Sequence, residues 1–366
     1  MIEEAQVLDA LSTVQEPDLK KDLVTLKMIE NIIIKDGIIE FTVILTTPAC
    51  PLKEKIKSDC TKAIQKQLGQ NLEVIVNMRA EVNSTRNNQI NLLPNVRNII
   101  CIASGKGGVG KSTVSVNLAV SLANSGAKVG LIDADIYGPS IPTMFGIKGK
   151  QPGIREIKGK NYILPFEIND NLKVLSIGLL VDERQAIVWR GAMVTSAIKQ
   201  FITDAIWGQL DYLIVDMPPG TGDVHITMAQ TIPITGAIIV TTPQEVALAD
   251  ARKAIFMFRM PAINIPIIGI VENMAYFSPP EMMDKKYYIF GKSGGKNLAS
   301  EYEVPFLGEI PIVEAIREGC DTGYPVTMNE TDYTNASFEE IAQNAAREIA
   351  IKNAMVNSKA ATVIAE

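Results

Sequence analysis

Residues 105–113 read Gly-Lys-Gly-Gly-Val-Gly-Lys-Ser-Thr, a composition and spacing suited to holding phosphate. Gly105, Gly107, Gly108 and Gly110, with Val109 between the last two, let the backbone turn tightly and point N–H groups at anionic oxygens. The apolar run Ile99–Ala103 precedes the loop, and the amphipathic run Val114–Leu122 follows it. That order is strand, glycine loop, helix. A helix N-terminus near Lys111 adds its positive end to the anion site. Lys111 is spaced to reach β- and γ-phosphates, Ser112 to offer a hydroxyl to Mg²⁺, and Thr113 completes the pattern. Lys106 is a second lysine that a plain phosphate loop does not require. It is badly placed for its own γ-phosphate but can reach across an interface to a partner's nucleotide.

Carboxylates follow at the spacing such a site needs. Lys128–Ile132 reads as a strand delivering Asp133-Ala134-Asp135, and Asp211–Asp216 as a buried strand ending on its own acid. Carboxyl ends of strands are where α/β sheets place ligands, which suits metal and water handling at Asp133 and Asp135. Asp216 is placed to support Mg²⁺. The stretch after it holds Pro218, Pro219, Gly220 and Gly222 and is a candidate switch able to sense the γ-phosphate. Asn273, just past the strand Ile267–Val271, can pair with an adenine edge through both amide functions. Cys50 lies in Thr47-Pro48-Ala49-Cys50-Pro51, just ahead of a helix. A helix N-terminus favours thiolate and hence metal or cluster ligation, while a small buried apolar residue is the competing reading. His225, the only histidine, has no metal partners in its neighbourhood and reads as structural or solvated. Trp189 with Arg190 reads equally as an interface anchor or as packing beside a helix start.

The elements that must position these residues fall into two blocks. Residues 1–80 form a small α/β unit: a helix over Glu3–Ser12, strands Ile29–Ile34 and Ile38–Leu45 joined across Lys35-Asp36-Gly37, a helix Pro51–Leu68 stopped by Gly69, and a strand Leu72–Val76. Residues 81–96 are polar and aperiodic and read as a linker. From 97 to 354, six apolar strands alternate with helical stretches, which predicts a doubly wound, mostly parallel α/β sheet with helices on both faces. Residues 146–170, rich in Gly, Lys and Pro, read as loops over the active face. The late elements are a strand near Phe306–Glu309 and helices Ile312–Glu318 and Phe338–Ile351, with a frayed tail over 355–366.

Composition narrows the partners. A net charge of −6 and a pI near 5.2 argue against nucleic acid held by general electrostatics. No run of eighteen apolar residues predicts a membrane span, and the opening Met-Ile-Glu-Glu-Ala-Gln lacks a signal peptide's basic and apolar regions. Cys50, Cys60, Cys101 and Cys320 form no Cys-x-x-Cys pair, so a cytoplasmic protein with reduced thiols is expected.

Lys106–Ser112, Lys-Gly-Gly-Val-Gly-Lys-Ser, resembles the signature of the deviant-Walker-A ATPases, the nitrogenase-iron-protein, Min and Par group. Nearly the whole chain resembles the Mrp/ApbC type of iron–sulfur cluster carrier ATPase. The resemblance rests further on Asp133–Ser140, Val188-Trp189-Arg190-Gly191, Asp216–Asp223, Thr241–Gln244, Val271–Met274 and Tyr288–Gly291. Residues 1–80 resemble the MIP18-type domain, with Thr47–Pro51 as its motif. The resemblance implies an ATPase using ATP and Mg²⁺, and an ATP-sandwich homodimer in which Lys106 acts in trans. It gives Asp135 the attacking water, places Asp133 nearer the Mg²⁺ shell, and implies delivery of iron–sulfur clusters to apoproteins or assembly factors. One departure stands out. Many members carry Cys-x-x-Cys soon after Val-Glu-Asn-Met, and here residues 274–283 contain no cysteine. A Min/Par-like positioning ATPase and a nucleotide-gated adaptor without its own cluster are the competing readings.

Overall fold

The computed structural model describes residues 2–35, 37–84, 93–136, 138–179, 191–282, 284–329 and 334–365. Asp36, Trp189, Arg190 and half of the expected linker, residues 85–92, lie outside the described residues. The chain groups into two units, residues 1–85 with 349–366, and residues 86–348.

The first unit opens with helix α1 (Glu4–Leu11) and a short pair of strands, β1 (Gln15–Glu16) and β2 (Lys21–Asp22). Strands β3 (Ile29–Lys35) and β4 (Ile38–Leu45) pair antiparallel, helix α2 (Lys53–Leu68) crosses over, and β5 (Glu73–Ala80) adds parallel to β4. Alternation along β4 buries Ile39, Phe41, Val43 and Leu45 on one face. Helix α2 meets that face with Ile56, Cys60 and Ile64, one residue per turn, so Cys60 is a core residue.

The second unit is built on an eight-stranded sheet. Its elements in chain order are β6 (Val96–Ala103), α3 (Lys111–Asn124), β7 (Val129–Asp133), α4 (Ile141–Met144), β8 (Gly153–Ile157), β9 (Lys160–Leu164), β10 (Phe166–Asn169), β11 (Leu172–Ser176) and α5 (Gly191–Thr203). Then come β12 (Leu210–Asp216), α6 (Asp223–Thr231), β13 (Gly236–Thr241), α7 (Glu245–Arg259), β14 (Ile267–Glu272), α8 (Gly294–Glu301), β15 (Phe306–Glu309), α9 (Glu314–Thr322) and α10 (Asn335–Ala365), whose residues from Ile349 on count with the first unit. The strand order is β10-β11-β7-β12-β6-β13-β14-β15, parallel throughout except for β10 at the edge. Central strands flanked on both faces read as near-continuous apolar runs, as β6, β12, β13 and β14 do.

Three features differ from the sequence expectations. Residues 146–170 are not loops alone: β8 and β9 form an antiparallel hairpin, and β10 extends the main sheet. Helix α8, starting within Ser293-Gly294-Gly295, was not legible behind its glycines. The last helix does not end near Ile351 but continues to Ala365. Asn353 Nδ2 donates to the Asn83 carbonyl at 2.7 Å within the first unit.

Candidate functional site

The sheet order places β12 between β7 and β6, so three strand ends meet where the phosphate loop begins. Register pairs Asp216 with Asp133 on one side and with Ile102 on the other. Helix α3 leaves this point almost wholly buried, with Lys111 at its first residue. Gly110 ahead of it sits at φ +80°, and a Cβ there would fall on the Asn273 amide nitrogen, so only glycine fits the turn.

Asp216 is the hub. Its Oδ2 accepts from Ser112 Oγ at 2.6 Å and lies 2.8 Å from Lys111 Nζ, while its Oδ1 accepts from Ser115 Oγ at 2.6 Å. Lys111 is 6 % exposed and Asp216 is fully buried, so the pair is shielded from solvent. Asp135 Oδ2 stands 4.0 Å from the same ammonium. A hydroxyl and a carboxylate side by side are hard oxygen donors, the set Mg²⁺ takes when phosphates and water fill its remaining positions. Ser112 and Asp216 therefore fit the expected cation.

Asp133 is held by three hydrogen bonds. Its Oδ2 accepts from Ser176 Oγ at 2.9 Å and from the Ile141 N–H at 3.3 Å, and its Oδ1 accepts from the Asp135 N–H at 3.2 Å. These bonds brace the loop that carries Asp135. Burial first, then the neighbouring Asp216 charge, pushes the Asp133 carboxyl up to about 7. Asn273 also turns inward. Its Nδ2 donates to the Val109 carbonyl at 2.8 Å and its Oδ1 accepts from the Met274 N–H at 2.9 Å, so contact with adenine requires those bonds to exchange. Lys106 is half-buried, its carbonyl accepts from Ser104 Oγ at 2.9 Å, and its ammonium makes no ion pair among the described residues.

Sequence reading passed over Ser115, Ser176, Ser104 and Glu272. Ser115 had a signal, standing one turn beyond Ser112 on the same helix face. Glu272 is 1 % exposed and its Oε2 accepts from the Gly295 N–H, which ties the start of α8 to the strand end that carries Asn273. Nothing local marks Ser176, whose carboxylate partner lies on another strand, whereas the Ser104 hydroxyl bonds within the phosphate loop itself.

Comparison with known proteins decides the family. Residues 95–346 match the ParA model described as a NUBPL iron-transfer P-loop NTPase, and residues 4–76 match that of an iron–sulfur cluster assembly protein. An iron–sulfur cluster carrier protein of Synechocystis is 46 % identical over 90 % of this chain and 93 % of its own length. The carrier of Deinococcus radiodurans is 44 % identical over 94 % and 95 %. The chain belongs to the ParA/NUBPL family of P-loop NTPases. A nucleotide-binding protein of Archaeoglobus fulgidus, solved with ADP, superposes with a TM-score of 0.57 at 37 % identity, covering 67 % of this chain and 93 % of that one. As a P-loop NTPase of this family, the chain is an ATPase.

Cluster ligation is a separate question from family membership. Among the described residues no three or more of His, Cys, Asp and Glu gather in a way that could hold a metal. Cys60 and Cys101 are buried, and burial pushes both thiols up to about 12; it raises Cys320 as well. Cys50 is half-buried, just ahead of α2. Where many family members were expected to carry a cysteine pair, Lys286 Nζ lies 3.8 Å from the Tyr276 ring centre and 3.1 Å from Glu309 Oε1. Residues 274–283 hold no thiol. No helix among the described residues is long and apolar enough to cross a membrane.

Proposed function

We propose that the protein is a Mg²⁺-dependent ATPase of the cytoplasm, working as a homodimer whose nucleotide cycle governs the passage of iron–sulfur clusters to apoproteins. The observation that carries the reading is Lys111, Ser112 and Asp216 converging at adjacent strand ends, in a chain 46 % identical to a cluster carrier over nine-tenths of its length. In this reading the glycines from Gly105 to Gly110, with Val109, wrap the phosphates, and Lys111 leaves Asp216 to neutralise the β- and γ-oxygens. Ser112 and Asp216 hold Mg²⁺, which supplies charge neutralisation at the transferring phosphoryl group. Asp135 orients the attacking water, Asp133 keeps the Asp135 loop in place, and Lys106 reaches a partner's nucleotide. Residues 1–80 form the unit that meets apoproteins or assembly factors. The cluster is cargo.

A second reading has its own support, the lack of a ligand group among the described residues. In it the ATPase is an adaptor that carries no cluster. One experiment separates the two: anaerobic reconstitution with iron and sulfide, followed in visible absorption, then transfer to an apo iron–sulfur enzyme with and without Mg-ATP. Charge-transfer absorption and nucleotide-dependent activation of the enzyme support the carrier. ATP turnover without any cluster absorption supports the adaptor.

A further inference from the structure

The single histidine lies beneath the loop that joins Asp216 to α6. His225 is 3 % exposed, and its Nε2 stands 2.7 Å from the Pro218 carbonyl. A carbonyl can only accept, so the proton is on Nε2 and Nδ1 carries a lone pair. That Nδ1 is buried with no hydrogen-bond partner among the described residues. A residue kept for packing alone would be better served by a hydrocarbon ring, which leaves no polar atom unsatisfied. The bond to Pro218 is what an imidazole adds here.

The carbonyl it holds belongs to a run of contacts leading to the phosphate loop. Two residues on, the Gly220 N–H donates to the Ser104 carbonyl at 3.0 Å. Ser104, 1 % exposed, in turn donates from Oγ to the Lys106 carbonyl at 2.9 Å. Pro219 packs over Gly107, within 4 Å of where a Cβ would stand. The loop is thus clamped between His225 on one side and the backbone that presents Lys106 on the other.

We propose that His225 is a positioning residue for ATP hydrolysis: its Nε2–H fixes the Pro218–Gly220 stretch against Ser104 and so sets the backbone that carries Lys106. This rests on the ATPase reading above. Burial lowers the ring's proton affinity, which keeps the neutral donor form in place.

The test compares the full chain with His225→Ala, His225→Phe and His225→Gln. Steady-state turnover of Mg-ATP, affinity for a fluorescent ADP analogue, and amide hydrogen exchange over residues 217–222 are measured for each. Loss of a supporting hydrogen bond should lower kcat about tenfold or more in the Ala and Phe variants. KM and ADP affinity should stay unchanged, and Gln, whose side-chain N–H₂ can reach the same carbonyl, should restore most of the rate. The Gly220 amide should exchange faster in Ala and Phe than in the parent and Gln. A Phe variant as active as the parent, or a Gln variant as impaired as Ala, overturns the assignment. If the parent itself turns over no ATP, the ATPase reading falls first. The exchange pattern then decides His225 alone: equal protection of Gly220 in all four proteins removes it from the account.

Discussion

A buried ammonium and a buried carboxylate 2.8 Å apart stabilise the site only as a pair. Removing one strands the other, at a cost of about 3–5 kcal/mol where no other donor compensates. Ser112 and Ser115 stay on Asp216 when Lys111 is lost, so Lys111→Ala should fold with a lowered melting temperature while losing affinity for Mg-ATP. Asp135 has the opposite signature. It stands 4.0 Å from Lys111 and does not carry the phosphate-binding charge, so Asp135→Ala should keep ATP-analogue binding and lose turnover by about 10²–10⁴-fold. Binding measured by analogue fluorescence beside turnover separates the two roles, and parental turnover in Asp135→Ala would remove the water-positioning role. His225 adds a dependence on pH. Burial, which outweighs the opposing hydrogen bonds with the Pro218 and Gly222 backbone, holds its proton affinity below the ordinary 6.5. The unfolded chain then binds the proton that the folded one refuses, so stability is full above that value and falls as pH drops through the window beneath it. His225→Gln should flatten this slope in melting curves between about pH 7.5 and about pH 5.5. The rise at Asp133 is common to both proteins and cancels in the difference.

Elements differ in how plainly the sequence announces them. β6, β12, β13 and β14 are buried on both faces and show as unbroken apolar runs, and the phosphate loop is legible because glycine identity is forced at positions such as Gly110. β8 is exposed along its whole length, so it has neither alternation nor an apolar run to read. Helix α8 begins with two glycines and is anchored by Glu272 from a distant strand, a tertiary contact that local propensity cannot encode. The same limit hid Ser176 and the bonds that hold Asp133, which run to β11 and the start of α4. Close packing between elements yields a further prediction. A Cβ on Gly105 would fall on the Asp250 carbonyl of α7, a backbone atom that cannot swing aside. Gly105→Ala should therefore push α7 from the phosphate loop, costing about 1–3 kcal/mol, and should lower both melting temperature and nucleotide affinity. An unchanged melting temperature would mean the loop and α7 separate freely.

For the whole molecule, the question is what one chain lacks. The role proposed for Lys106 lies across an interface, at a partner's nucleotide. In mixed dimers, a hydrolysis-dead Asp135→Ala subunit with intact Lys106 should partly rescue a Lys106→Ala subunit, and no rescue at any mixing ratio points to action in cis. The thiols pose the same question for the cluster. A cluster takes about four ligands, usually thiolates. Cys60, Cys101 and Cys320 are buried with raised proton affinity, so none is ready to ligate. Cys50 is the one cysteine that is not buried, and a dimer offers it twice. Two chains then leave about half the shell to a small thiol, a client or a partner, and the bound cluster should be labile. Alkylation of the native protein should mark Cys50 and spare the other three until the chain unfolds, which mass spectrometry of the tryptic peptides reads directly. Cys50→Ser should then lower both the cluster absorption after reconstitution and the activation of an apo iron–sulfur enzyme, while leaving ATP turnover intact because the phosphate loop belongs to the other unit. Equal cluster content in parent and variant would return Cys50 to a packing role against the α2 core.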